Sequence, residues 1–221
     1  CAAKQIFGYE ALVRGPNNES AYSVISQVND ENRYTFDQLC RIKAISLAAK
    51  LKLDSILSIN FLPNAIYKPE RCIRTTLEAA KQYDFPVEQI MFEFTEVEKV
   101  EDSTHIKRVV EYYQSLGFIT ATDDFGSGYS GLNLLADFQS NIIKLDMELI
   151  RDIHLNKARQ IIVNHCIAMF EELNITALAE GIETVEEYQW LRQAGVSLMQ
   201  GYFFARPGFE SLPEVDFSKL D

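Results

Sequence analysis

Carboxylates and amides recur in this 221-residue chain at one kind of place, the end of a short apolar run. The clearest case is F-I-T-A-T-D-D-F-G-S-G-Y-S-G, beginning at Phe118. A β-branched and apolar run stops at two adjacent carboxylates, Asp123 and Asp124, and a loop holding Gly126, Gly128 and Gly131 follows. Neighbouring side chains at a strand end point in different directions. The pair could therefore touch two ions, or one ion and a substrate. Like charges this close repel and need cations to stay ionised together. Taken alone, the same letters also fit a strand ending in a polar turn.

Other runs end in the same way: in Glu10, in Asn60, in Glu93 with Glu96, in Lys144 with Asp146, in Glu180 with Glu183, and in Gln200. One such residue means little. Repetition at every run is hard to produce by surface decoration. A donor set of oxygens, without Cys or His, favours hard cations such as Mg²⁺ or Mn²⁺. The carboxylates are more than one such ion needs, so two ions are expected. Paired ions about 3.5–4 Å apart serve phosphoester hydrolysis.

The elements that must position these residues are legible in outline. Apolar and β-branched runs predict strands over residues 6–12, 55–60, 89–96, 118–122, 141–146, a run starting at 175 and a last one over 197–202. Helical spacing separates most of them. A short helix is expected near 21–28. Asp37 looks like the N-cap of a helix carrying Leu39, Ile42, Ile45 and Ala49, and Ile73, Leu77 and Ala80 mark another. An amphipathic helix over 103–116 is closed by Gly117, and a helix-like run starts at Leu132. Ala158, Ile161, Ile162, Met169, Phe170 and Leu173 form the stripe of a longer one, and Thr184 with Glu187 reads as a capping box. Alternation of this kind implies parallel strands with crossover helices. A barrel and a doubly wound sheet both satisfy it, although no G-x-G-x-x-G follows the first strand. In a parallel barrel every strand opens its C-terminal end on one face, and that face carries the site.

Composition narrows the function further. With 47% hydrophobic residues the chain can bury one sizeable core. A net charge of −11 argues against binding nucleic-acid polymers, which rests on basic surface. An anionic ligand would need the sign reversed locally, as carboxylate-bound cations would do. No apolar run reaches the roughly 18 residues of a membrane span. Cys1, Cys40, Cys72 and Cys166 are scattered without metal-site spacing, which fits reduced thiols in a cytoplasmic protein.

These motifs resemble those of EAL domains, bacterial phosphodiesterases that open cyclic di-GMP to linear pGpG. The matching letters are Glu10-Ala11-Leu12 with Arg14, Asn60, Glu93-Phe94-Thr95-Glu96, D-D-F-G-S-G-Y-S, Lys144-x-Asp146, Glu180-Gly181-Ile182-Glu183 and Gln200-Gly201-Tyr202. The resemblance runs from Phe7 to about Pro207. It implies a TIM-like (β/α)8 barrel, here a single domain over 1–221 that lacks the family's first strand and is cut from a longer protein with a sensor domain upstream. By position, it implies that Glu10, Asn60, Glu93 and Asp123 hold one ion, and that Asp123 bridges to a second beside Asp124 and Glu180. Lys144 would orient the attacking water, with Glu180 or a metal-bound hydroxide as base, and Asp124 joins these two among the catalytic positions. Substrate contacts would fall to Leu12, Arg14, Asp146, Gln200 and Pro207. Glu96, Gly126, Ser127, Gly128 and Glu183 would shape the loops. Simpler readings stay open for some: Glu96 and Glu183 as exposed carboxylates, Asp146 as a helix cap, Arg14 as a surface arginine. The resemblance also implies inhibition by Ca²⁺ and a homodimer through the helix after the glycine loop, where Leu132, Leu134, Leu135 and Phe138 suit a partner surface or a core equally. R-Y-T-F-D-Q and I-N-F-L-P-N are similar to the EAL domains attached to BLUF blue-light sensors. A cyclic di-GMP receptor without hydrolysis is the alternative.

Overall fold

Seven strands run parallel in simple sequence order, each bonded to the next, in the computed structural model, which describes residues 4–95, 103–128 and 131–220. They are β1 (Gly8–Ala11), β2 (Ile56–Asn60), β3 (Ile90–Thr95), β4 (Ile119–Phe125), β5 (Ile142–Leu145), β6 (Thr176–Ala179) and β7 (Leu198–Met199). The main crossover helices are α1 (Ala21–Ile25), α2 (Arg33–Lys50), α3 (Pro69–Cys72), α4 (Arg74–Gln82), α5 (Ser103–Ser115), α6 (Gly131–Asp137), α7 (Met147–Ile150), α8 (Lys157–Glu172) and α9 (Val185–Gln193). Parallel neighbours need such crossovers, and helices on the outer face keep both sides of each strand covered.

Side chains alternate across each strand, and the alternation sorts the interior. Met91, Ala121, Ile142 and Leu178, with the half-buried Ile56, Ile119 and Leu198, form one apolar cluster enclosed by the sheet. Two residues further along the same inward rows stand Glu93, Asp123, Lys144, Glu180 and Gln200. Each row thus turns from apolar to polar at its C-terminal end. The outward rows, including Phe92, Phe94 and Ile59, pack beneath α2, α4 and α5 in a second core. Leu145, Ala179, Phe170 and Leu191 build a third beneath α8 and α9.

The sheet curls far enough that its first and last strands meet at the top. Gln200, one residue past β7, donates from Nε2 to Glu10 Oε2 of β1 at 2.7 Å. This curled α/β sheet is the TIM-like class that the resemblance implies, one of the two arrangements the alternation left open, with seven strands among the described residues.

Several local expectations need correction. Asp37 is not an N-cap: α2 starts four residues earlier, with Asn32 at its N-cap, and Asp37 lies buried inside the helix against Arg41. The buried face of α8 is Val163, Ile167 and Phe170, at i, i+4 and i+7, while Ile161 and Ile162 are each 48% exposed. More apolar residues were present than one stripe could bury. Leu134, Leu135 and Phe138 belong to the chain's own core, leaving Leu132 exposed at 65%. The capping box of α9 is formed as expected, and Gly117 takes φ +93° behind α5. Glu96 lies outside the described residues. No helix among the described residues is long and apolar enough to cross a membrane, and Cys40, Cys72 and Cys166 are free thiols.

Candidate active site

Lys144 sits at the centre of the polar layer, 1% exposed. Its Nζ lies 2.7 Å from Glu93 Oε2, 2.7 Å from Glu180 Oε1, 3.2 Å from Asp123 Oδ1 and 3.8 Å from Glu10 Oε2. Strands β1, β3, β4, β5 and the residue after β6 thus meet through one ammonium. Asn60 closes the ring from β2, donating Nδ2 to Glu10 Oε1 at 2.8 Å. That bond commits the amide nitrogen and leaves Oδ1 as the ligating atom. Gln200 holds the other oxygen of Glu10, so this carboxylate is oriented from both sides.

The adjacent carboxylates of β4 reach the same space by a break in the strand. Simple alternation would send Asp123 and Asp124 to opposite faces. Instead the pairing with β5 shifts register between Thr122 and Phe125, and Asp124 adopts φ +57°. A bulge of this kind re-aims a side chain. Asp123 Oδ1 accepts from Asp124 N at 2.9 Å, which fixes the kink. The result is two carboxylate groupings that share a member: Glu10, Glu93 and Asp123 in one, Asp123, Asp124 and Glu180 in the other, each with ligand atoms within 4.8 Å of one another.

Electrostatics follow from crowding. Burial pushes the Glu93 carboxyl up to about 7, opposed by Lys144 and reinforced by Glu10 and Asp123. Glu180 is pushed to about 9 by burial, which outweighs the pull of Lys144, with Asp123 and Glu10 adding to the rise. Asp124 rises to about 6 through burial, then Asp123 and Asp146. Burial alone would lower Lys144, yet Glu93, Glu10, Glu180 and Asp123 hold it well above its ordinary value. One ammonium does not neutralise this many carboxylates. The site either takes up protons or binds cations, and the shared grouping of oxygens suits divalent ones.

The remaining candidates have distinct surroundings. Asp146 caps α7, accepting from Glu148 N at 2.8 Å, while it also raises Asp124. Gly126 takes φ +99°, and a Cβ there would lie 2.6 Å from Leu149 Cδ1, so the loop needs glycine. Ser127 donates its hydroxyl to Asp124 O, and Gly128 is half-buried behind it. Glu183 pairs with Arg151 at 2.8 and 3.0 Å, outside the carboxylate ring. Leu12 and Pro207 are exposed, and Arg14 donates to its own neighbour, Val13 O, at 2.7 Å. The spacing of motifs had no signal for one residue and for the second role of another. Arg151 is one; the other is Glu187, which besides capping α9 accepts from Asp152 N and Glu183 N at 2.9 Å each. Arg206 lies over the Tyr202 ring at 4.3 Å.

Known proteins with this architecture narrow the reading. The chain is 31% identical over 214 residues to the blue light- and temperature-regulated antirepressor BluF of Escherichia coli, covering 96% of this chain and 53% of that protein. It is 34% identical over 142 residues to the E. coli cyclic di-GMP phosphodiesterase PdeR, covering 64% of this chain and 21% of that protein. It thus spans about half or less of the length of these relatives. A solved structure of a standalone versatile EAL protein from Vibrio cholerae, in its c-di-GMP bound form, superposes with a TM-score of 0.97 at 70% identity, covering 100% of this chain and 93% of that one. The family model described as EAL domain matches residues 1–207, and the chain belongs to that family.

Proposed function

We propose that this domain is a divalent-metal-dependent phosphodiesterase that opens cyclic di-GMP to pGpG. The observation that carries the reading is the pair of carboxylate groupings sharing Asp123, with Lys144 against both. The family, a relative named as a cyclic di-GMP phosphodiesterase and a cyclic di-GMP complex at 70% identity support the substrate.

The donor set fits two hard cations, Mg²⁺ or Mn²⁺. Glu10, Asn60, Glu93 and Asp123 would hold one, and Asp123, Asp124 and Glu180 the other. Such ions supply Lewis acidity toward a phosphoryl oxygen and make bound water a nucleophile near neutral pH. Lys144 would be redirected from its carboxylate partners toward the attacking water and orient it. Glu180, whose Oε1 lies 2.7 Å from Lys144 Nζ, would be the base toward that water. Asn60 and Gln200 orient Glu10. Asp146, Leu12, Arg14 and Pro207 would serve as substrate contacts. Arg14 would swing from Val13 O to a phosphate, for which its planar fork of donors is suited.

Incubating the chain with Mg²⁺ or Mn²⁺ and cyclic di-GMP, then separating the nucleotides, tests this directly. Appearance of pGpG, abolished by chelation, is the expected result. Tight binding of intact cyclic di-GMP with no turnover would replace it with a receptor module.

A further inference from the structure

Behind β2 and β3, between the sheet and α2, lies a buried ionic group that the proposed chemistry does not use. Asp37 and Arg41 sit one turn apart, 3% and 0% exposed, with Arg41 Nη2 2.8 Å from Asp37 Oδ2. Arg41 Nη1 donates to the Tyr113 hydroxyl at 3.1 Å. The guanidinium also faces the rings of Phe92, Phe61 and Tyr113 at 4.9, 5.7 and 5.9 Å. Buried ion pairs are a weak source of stability, because apolar residues of similar volume often serve as well. What else the pair touches is therefore informative.

Asp37 Oδ1 accepts from Leu62 N at 3.1 Å. Leu62 stands two residues beyond Asn60, where β2 has ended and the chain turns away over the top of α2. Phe61, against Arg41, follows Asn60 directly, and Phe92, also against Arg41, precedes Glu93. Phe61 N in turn donates to Glu93 O at 2.9 Å. Among the described residues, the hydrogen bonds, ion pair and ring contacts of this pair outside its own helix and Tyr113 thus fall within two residues of Asn60 or Glu93.

We propose that Asp37 is a positioning residue for the ion-binding ends of β2 and β3. Its carboxylate anchors the chain just past Asn60 through Leu62 N. Arg41 aims that carboxylate and braces Phe61 and Phe92, so that Asn60 and Glu93 present their oxygens at a fixed separation. The inference rests on the reading of Asn60 and Glu93 as ion ligands. Partners that orient ligands in this way are worth about 10–100-fold in metal affinity when removed.

The test measures Mn²⁺ binding to the whole chain by titration calorimetry, beside thermal unfolding of the metal-free protein. The double variant Asp37→Leu with Arg41→Met removes the Leu62 anchor without stranding a charge. It is expected to fold and to bind Mn²⁺ about tenfold more weakly. Asp37→Asn with Arg41→Met keeps an acceptor for Leu62 N, and a flip of the Gln38 amide, whose Oε1 has no partner, satisfies the new NH₂. That variant is expected to recover most of the affinity. Leu62→Pro deletes the donor while keeping Asp37 and Arg41 and should match the first variant, which keeps the test open if the double substitution does not fold. Wild-type affinity in either anchor-deficient variant would overturn the positioning role. Failure of the unaltered chain to bind Mn²⁺ would instead overturn the reading of the site.

Discussion

At the scale of single residues, the site is held in a state of excess negative charge that Lys144 only partly offsets. Glu93 and Glu180 titrate well above an ordinary glutamate, and Asp124 above an ordinary aspartate. A carboxyl whose folded-state pKa is raised adds stability below its unfolded value and loses that contribution as pH climbs through the folded one. Without metal, the melting temperature should therefore fall as pH rises from about 5 to about 9. Added Mn²⁺ should restore more at the alkaline end, because its ligands must be deprotonated. A melting temperature independent of pH across that interval would contradict the crowding. Lys144→Met removes the one central cation. It should destabilise the metal-free protein by about 3–5 kcal/mol, with much of the loss recovered on adding Mn²⁺. Glu10→Ala and Glu180→Ala should leave the fold intact and reduce hydrolysis by at least about 10²–10⁴-fold. Parent-like turnover in either would displace the site assignment. The sequence already exposed most of these residues, because each closes an apolar run. Asp37 misled, since an aspartate ahead of a helical pattern resembles a cap until its i+4 partner Arg41 is weighed.

At the scale of elements, alternation and bulge do the positioning. The apolar runs of β2, β3 and β5 were readable as strands, and their inward rows Ser58-Asn60, Met91-Glu93 and Ile142-Lys144 end in polar groups. The bulge in β4 was not readable, because a positive φ at an aspartate depends on what the neighbouring strand requires. The loop contacts of Glu183 and Glu187 were hidden for the same reason: their partners Arg151 and Asp152 lie more than thirty residues away. These loops interlock closely. Gly181 takes φ +67°, and a Cβ there would clash with Met147 Cβ. Gly181→Ala should cost about 1–2 kcal/mol from backbone conformation alone. It should also lower turnover, since the displaced segment carries Glu180. Unfolding curves with steady-state kinetics would check both, and an unchanged melting temperature would contradict the close approach.

For the whole molecule, a chain of net charge −11 meets an anionic dinucleotide only if its mouth is locally positive. Divalent ions held as proposed would supply that reversal, so substrate affinity should depend steeply on metal. Ca²⁺ has longer and looser coordination than Mg²⁺, and replacing Mg²⁺ with it should suppress turnover while the dinucleotide still binds. Equal rates with the two ions, in the pGpG assay, would argue against a geometry-dependent centre. The parallel order of the sheet was legible from alternating runs and helices, and choosing a barrel over a doubly wound sheet needed the contact between Glu10 and Gln200. Dimer formation remains a proposal. With Leu134, Leu135 and Phe138 buried in the core, a partner would meet Leu132 and the polar face of α6.

As proposed, inward rows from separate strands deliver oxygens to a pair of ions sharing Asp123. Anomalous diffraction from crystals grown with Mn²⁺ reads this directly. Two peaks about 3.5–4 Å apart are expected, one beside Glu10, Asn60 and Glu93, the other beside Asp124 and Glu180, with Asp123 between them. A single peak away from Asp123, or none at saturating Mn²⁺, would contradict it.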